Sequence, residues 1–164
     1  MSMRQFVNED AARLIGAPSP ANRKILLFLT SAAFATAVLH RLSHMLQTWH
    51  PGLARLVSAM NLRLHGADID PRAVIGPGVL FQHPVGVTVG GGVRLGSGCT
   101  LMGGVTLGRK QVSGGPDEDQ YPKVGTGVML GAHSCLLGDI EVGDHSVVAA
   151  QALLLMDVPR TAWQ

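Results

Sequence analysis

The side chains able to do chemistry are few and scattered. His40 and His44 stand four apart, a spacing that sets two imidazoles on one helical face where zinc could bind. No Glu follows His40 and no third ligand is evident, so they read as a satisfied or exposed helix pair and no metal is expected. Gly90-Gly91-Gly92 and Gly96-Ser97-Gly98 are glycine-rich enough to cradle a phosphate, but no Gly-Lys-Ser/Thr and no helix follows. Both read as corners. Cys99 and Cys135 have no catalytic partner in sequence; Cys99 is expected in the core and Cys135 half-exposed. Two cysteines make no disulfide framework, which points to a reducing, cytoplasmic setting. His133 and His145, twelve apart, are expected on different surface faces. His83, within Phe81-Gln82-His83-Pro84, taken alone reads as a structural residue of a turn.

Two segments of different period must position these groups. Residues 1–65 are helical in pattern. Ser19 is a candidate N-cap, its hydroxyl accepting from an orphan backbone N–H, with Pro20 at the first helical position. The helix so begun carries the uncharged stretch Ile25 to Leu39, between Arg23-Lys24 and His40-Arg41. Fifteen residues fall short of the roughly 20 that span a bilayer. The stretch also starts too deep in the chain, and lacks the cleavage site, for a secretory signal. A buried helix is the first reading. A helix on a membrane surface is the second, because residues 1–60 hold six Lys/Arg against two Asp/Glu. Leu39, Leu42 and Leu46, then Leu53, Leu56 and Met60, recur at helical steps and define apolar stripes, with Pro51-Gly52 between them. The segment is a helical hairpin or small bundle.

After Gly66 the period is six. Val89, Leu95, Leu101 and Leu107 are evenly spaced, and Val93, Cys99 and Val105 follow four places behind. The rhythm resumes through Val124, Leu130, Leu136, Val142, Val148 and Leu154, and starts upstream at Ile69 and Ile75. Glycine often follows the leading aliphatic, as at Gly76, Gly96 and Gly131. A 3.6-residue period drifts out of step with six, and plain alternation would not place glycine once in six. Hexads of this kind predict a parallel β-helix, three short strands to a coil, with the leading aliphatic and the small residue four later both inward. Composition agrees: 46% of the 164 residues are hydrophobic but only 4% aromatic, and 21 are glycine. A net charge of +2, without an aromatic-laced basic cluster, sets nucleic-acid binding aside. The rhythm breaks twice. Ile75 to Val89 is fourteen residues instead of twelve, and Arg109 to Lys123 is a Gly-rich, acidic loop. Ejected loops commonly carry binding residues.

Several stretches in unbroken order resemble serine acetyltransferase. They are Gly66-Ala67-Asp68-Ile69-Asp70-Pro71, Phe81-Gln82-His83-Pro84, Gly104-Val105-Thr106-Leu107-Gly108 and Tyr121-Pro122-Lys123-Val124-Gly125. Leu136 to Gly143 and Asp157-Val158-Pro159 continue the series, and Leu39 to His44 matches more weakly. The resemblance implies a mainly β fold: a left-handed parallel β-helix of hexapeptide repeats over 66–164, loop at 109–123, behind a short α-helical segment at 1–65. It implies a homotrimer with active sites between subunits, transferring acetyl from acetyl-CoA to a hydroxyl. Matched position by position, the catalytic histidine falls on His83 and its orienting aspartate on Asp68. A base beside the attacking hydroxyl contributes roughly 10²–10⁴ in rate, and a carboxylate on the other ring nitrogen fixes the tautomer. Fifteen residues apart, near the ~18 of a three-hexad coil, the two can be neighbours on adjacent rungs. Gly108, Ala132 and Ala150 match positions presented to the CoA arm, the alanines one coil apart. Lys123, Arg109 and Lys110 could meet CoA phosphates.

The departures bear on the acceptor. The family has Asp before its histidine where this chain has Gln82, and Arg-His before Pro-Lys where it has Gln120-Tyr121. Losing a carboxylate and a guanidinium from an amino-acid site removes charge-assisted bonds of roughly 1.5–3 kcal/mol each. The helical segment is shorter than the family's, and the Gly-Val-Pro-Ala-Arg ending is absent. The leading expectation is a serine acetyltransferase-type enzyme acting directly on L-serine or a similar small hydroxyl. A second has the same donor and a sugar, envelope polysaccharide or specialised metabolite as acceptor, with membrane-peripheral contact. A third is a non-catalytic binding protein, which the ending Ala162-Trp163-Gln164, without the C-terminal Ile, argues against.

Overall fold

The computed structural model describes residues 2–18, 20–110 and 120–160. Ser19, most of the acidic loop and the last four residues lie outside these, and with them the expected Ser19 cap and the C-terminal contact.

Helix α1 (Met3–Ile15) opens with a capping box: Gln5 N donates to Ser2 Oγ, and Ser2 N to Gln5 Oε1 at 2.7 Å. Helix α2 (Ala21–Thr30) follows, with Pro20 at the N-cap instead of the first helical position, its extended backbone (φ −68°, ψ 164°) still outside the helix. The single helix expected over Ile25–Leu39 is broken at Ser31, whose Oγ accepts from Phe34 N and so starts α3 (Ala32–Leu46) afresh. The two helices meet at 105°. As a result no residue of α2 is buried, contrary to the buried-helix reading. Among the described residues no single helix is long and apolar enough to cross a membrane.

Helix α3 buries Phe34, Ala35, Ala37 and Leu39, and α4 (Pro51–His65) buries Ala54, Val57 and Asn61. The stripe expected from Leu53, Leu56 and Met60 is exposed. The buried stripe of α4 is displaced around the helix, because small Ala54 permits close packing and Ser58 Oγ donates to Ile69 O at 2.7 Å. A buried ion pair ties the helices to the first coil. Arg41 Nε donates to Asp10 Oδ2 at 3.1 Å, Arg41 also donates to Ile75 O and Gly76 O, and Asp10 Oδ1 accepts from Val79 N. His40 is neither satisfied nor exposed: it is buried, and neither ring nitrogen has a hydrogen-bond partner among the described residues.

The remainder winds as a parallel β-helix. The first coil holds β1 (Asp68–Ile69), β2 (Val74–Ile75) and β3 (Leu80–Gln82); the second β4 (Thr88–Val89), β5 (Arg94–Leu95) and β6 (Thr100–Met102). The third holds β7 (Thr106–Gly108), β8 (Lys123–Val124) and β9 (Met129–Leu130); the fourth β10 (Cys135–Leu137), β11 (Glu141–Val142) and β12 (Val147–Val148). A last strand, β13 (Leu153–Leu154), opens a fifth. Every third strand stacks, giving a first face of β1, β4, β7, β10 and β13, a second beginning with β2 and a third with β3. Ile69, Val89, Leu107 and Leu136 are buried one above another, as are the four-later residues Val79, Cys99 and Val128. Both inward positions are thus filled as the hexads require. Glycine is enforced where coils touch: a Cβ on Gly96 would stand 2.6 Å from Gly125 backbone atoms.

Register locates both breaks. Thr88 pairs with Thr106 and Cys135 with Leu153, eighteen residues on in each case. Asp68 pairs with Thr88, twenty on, and Thr106 with Cys135, twenty-nine on. The two extra residues lie between β3 and β4, where Phe81 to Val89 takes eight steps instead of six. The eleven others lie between β7 and β8.

Candidate active site

The two-residue stutter bulges the chain at the corner from the third face to the first, and His83 sits on the bulge. Its φ of 59° is left-handed, a conformation costly for most side chains and more readily taken by His, Asn and Asp. Pro84 follows, and Pro84 O accepts from Val87 N at 3.1 Å, fixing the turn. The His83 ring is exposed, not directed into the solenoid, and makes no hydrogen bond to another described residue. Asp68, also exposed, starts the first face at this same corner. Gly86 N donates to Gly66 O and Asp68 N to Val87 O, both at 2.8 Å, so the backbone of His83's turn lies against that of Asp68. In the isolated chain their side chains share no hydrogen bond and line different hollows. Such side chains often close up only with substrate bound.

A cavity of about 480 Å³ adjoins His83. Gln82, Leu80 and Pro84 form its floor, with Leu14, Ser31, Ala32 and Ala33 above. Among the described residues, no Asp, Glu, Lys or Arg lines it. On Asp68's side, Thr88, Asp70 and the α4 residues Arg55 and Ser58 line the other hollow. Arg55 and the hydroxyls were missed in sequence, since only the docking of α4 beside β1 brings them there.

Ala132 and Ala150 stack at the third-to-first corner, two and three coils beyond His83, where Ala132 O accepts from Gln151 N at 2.8 Å. His133 is on the same corner and His145 on another, both exposed. The His133 ring lies against Gly104, the left-handed glycine (φ 72°) of the coil before, where a Cβ would collide with it.

The remaining expected site residues are elsewhere. Gly108, Arg109, Lys110, Gln120 and Tyr121 cluster at the opposite edge of the first face, and Lys123 begins β8, 3.3 Å from Asp139 Oδ1. Tyr121 is seated on Gly90 and Gly92, where any Cβ would strike its ring, with the Arg109 guanidinium 5.5 Å from the ring centroid. The triple glycine is therefore a corner that doubles as a seat for an aromatic ring. Within one chain, Tyr121 and Gln120 do not join His83; the width of the first face separates them. Cys99 is buried, its Sγ 3.1 Å from Gly125 O, and burial raises its thiol pKa; Cys135 is half-exposed on the first face.

No family model matches the chain. It is 37% identical over 140 residues to serine acetyltransferase 2 of Arabidopsis thaliana, a match covering 77% of this chain and 42% of that protein. Its fold superposes on soybean serine acetyltransferase complexed with serine at a TM-score of 0.83 and 33% identity, covering 97% of this chain and 65% of that one. Serine acetyltransferase from Brucella abortus strain S19 in complex with coenzyme A gives 0.84 and 28%, covering 96% and 62%. The chain thus spans less than half the length of the Arabidopsis relative.

Proposed function

From a chain that is serine acetyltransferase-like and folded as a left-handed hexapeptide-repeat β-helix behind four helices, we propose an acetyl-CoA-dependent O-acetyltransferase. It passes acetyl directly to the hydroxyl of L-serine or a similar small acceptor. The observation that carries this is His83: an exposed imidazole on a strained, left-handed turn, at the corner where Asp68 begins. The soybean and Brucella proteins, seen with serine and with coenzyme A, support the two substrate classes. We read residues 1–65 as a helical segment and 66–164 as the catalytic β-helix.

His83 accepts the hydroxyl proton as the acceptor oxygen attacks the thioester carbonyl. The tetrahedral intermediate collapses, the C–S bond breaks, and the proton passes from His83 to the departing CoA sulfur. Asp68 holds the other ring nitrogen and steadies the imidazolium. Gly108, Ala132 and Ala150 leave room for the CoA arm, and Lys123, Arg109 and Lys110 are the cations for its phosphates.

We further propose a homotrimer with first faces inward. Threefold packing brings one edge of that face (Asp68, His83, Ala132, Ala150) against the other edge of a neighbour (Gly108, Gln120, Tyr121), completing a site that one chain leaves divided. The exposed stripe Leu53, Leu56, Met60 and Leu64 on α4, beside β1, supports it. The free thiols favour the cytoplasm.

One observation favours an uncharged acceptor, a sugar or specialised metabolite, as a second reading: among the described residues, the cavity beside His83 offers only the side chains of Ser31, Gln82 and His83 as polar groups. Thiol release from acetyl-CoA, assayed with L-serine and with a panel of neutral hydroxyl compounds, separates the two. Turnover with serine supports the first; turnover only with neutral acceptors supports the second. No turnover with any, and no CoA binding, rejects both.

A further inference from the structure

Helix α2 has a face that none of the described residues covers. Around its axis Phe28, Ala21, Ile25 and Leu29 form an apolar stripe that Asn22 separates from Leu26, and Ile25, Leu26 and Leu29 are 64%, 59% and 74% exposed. Lys24, half-buried and donating to Asn8 Oδ1, flanks one side of the stripe, and Arg23 lies beyond Thr30 on the other. Apolar residues bordered by cations are what a helix needs to lie at a lipid interface, chains in the acyl boundary and charges among headgroups.

The surrounding charge is one-sided. Residues 1–60 hold six Lys/Arg and two Asp/Glu. Arg41 and Asp10 are buried against one another, Lys24 Nζ donates to Asn8 Oδ1 and Arg55 lines the hollow beside Asp68, which leaves Arg4, Arg13 and Arg23 outward against Glu9. A second copy of α2 would offer the same cations and no carboxylate, whereas an anionic bilayer supplies the complement. The α4 stripe differs, for it continues onto the first face of the β-helix, while α2 stands off at the far side of the 105° bend.

We propose that α2 docks this protein, peripherally, on an anionic lipid surface. The proposal goes beyond acetyl transfer and stands without it. Its consequence for the site is positional: Ser31, Ala32 and Ala33, which follow α2, roof the cavity beside His83, so docking would hold that cavity at the membrane.

The test is flotation of the full chain with phosphatidylcholine vesicles, with and without about 30% phosphatidylglycerol. Expected is binding to anionic vesicles that weakens with salt. Reversing both cations (Arg23→Glu with Lys24→Glu) should lower partitioning at least about tenfold, and Ile25→Glu with Leu29→Glu should abolish it. Circular dichroism checks that each variant folds. The milder Leu26→Trp should report insertion through quenching by brominated lipid beyond that of the unaltered chain. No binding of the unaltered protein to anionic vesicles overturns the proposal. So does binding that survives Ile25→Glu/Leu29→Glu, or a change in particle mass of that variant on light scattering, which would assign the face to a second copy.

Discussion

At the scale of single residues, His83 joins an exposed ring to a backbone conformation that a side chain adopts at a cost. His83→Ala should lower kcat for thiol release by about 10²–10⁴, with KM changed little, measured under saturating acetyl-CoA. Asp68→Asn should give a smaller loss and add none on top of His83→Ala, since in the proposed mechanism both act on one proton. His83 was legible because the hexad count slips beside it; a break in a rule is visible where a lone histidine is not. Tyr121 was legible as a departure from the family pattern, but its seat was not. Gly90 and Gly92 precede it by some thirty residues, and only the register of β5 against β8 brings them under its ring. His40 was misread for a similar reason. Its burial is decided by α4 and the first coil, which the local helix pattern does not contain.

Elements carry the next set of consequences. Burial first, then the charges of Arg41 and His44, against smaller opposing pulls from Asp70 and the Ala73 backbone, push the His40 pKa from 6.5 down to about 3. The native state therefore refuses a proton that the unfolded chain takes up below about pH 6.5. Stability should fall as pH drops from that value toward 3, and this group should have no effect above pH 7. Thermal unfolding at pH 7 and pH 5 checks it: His40→Leu should show less of the acid-side loss than the unaltered protein. In the solenoid, Gly96→Ala should cost about 3 kcal/mol, because its methyl meets Gly125 backbone and not a movable side chain. That is a drop of roughly 6–12 °C in Tm for a chain this size. Strand positions were legible from sequence because nearly every hexad places one aliphatic inward, Phe81 taking that place in β3. Helix faces were less so. On α4 the leucines mark the most apolar face, yet Ala54 is what lets α3 approach, and the leucines are left for another surface.

For the whole molecule, Asp10 and Arg41 couple helices to β-helix. Asp10→Ala leaves a guanidinium buried without its carboxylate and should cost about 3–5 kcal/mol in denaturant unfolding. Replacing both partners by apolar residues should cost far less. The proposed trimer predicts that Leu56→Glu with Met60→Glu yields monomers on light scattering, with activity lost because the two proposed halves of the site no longer meet. The ladder carries one more implication. Arg94 still pairs with Lys123, and Thr100 with Met129, across the eleven additional residues of the third coil, so nothing in the stack senses how long that excursion is. A protease nick or a grafted peptide there should leave the melting temperature nearly unchanged, and evolution can rewrite what that edge recognises without renegotiating the fold.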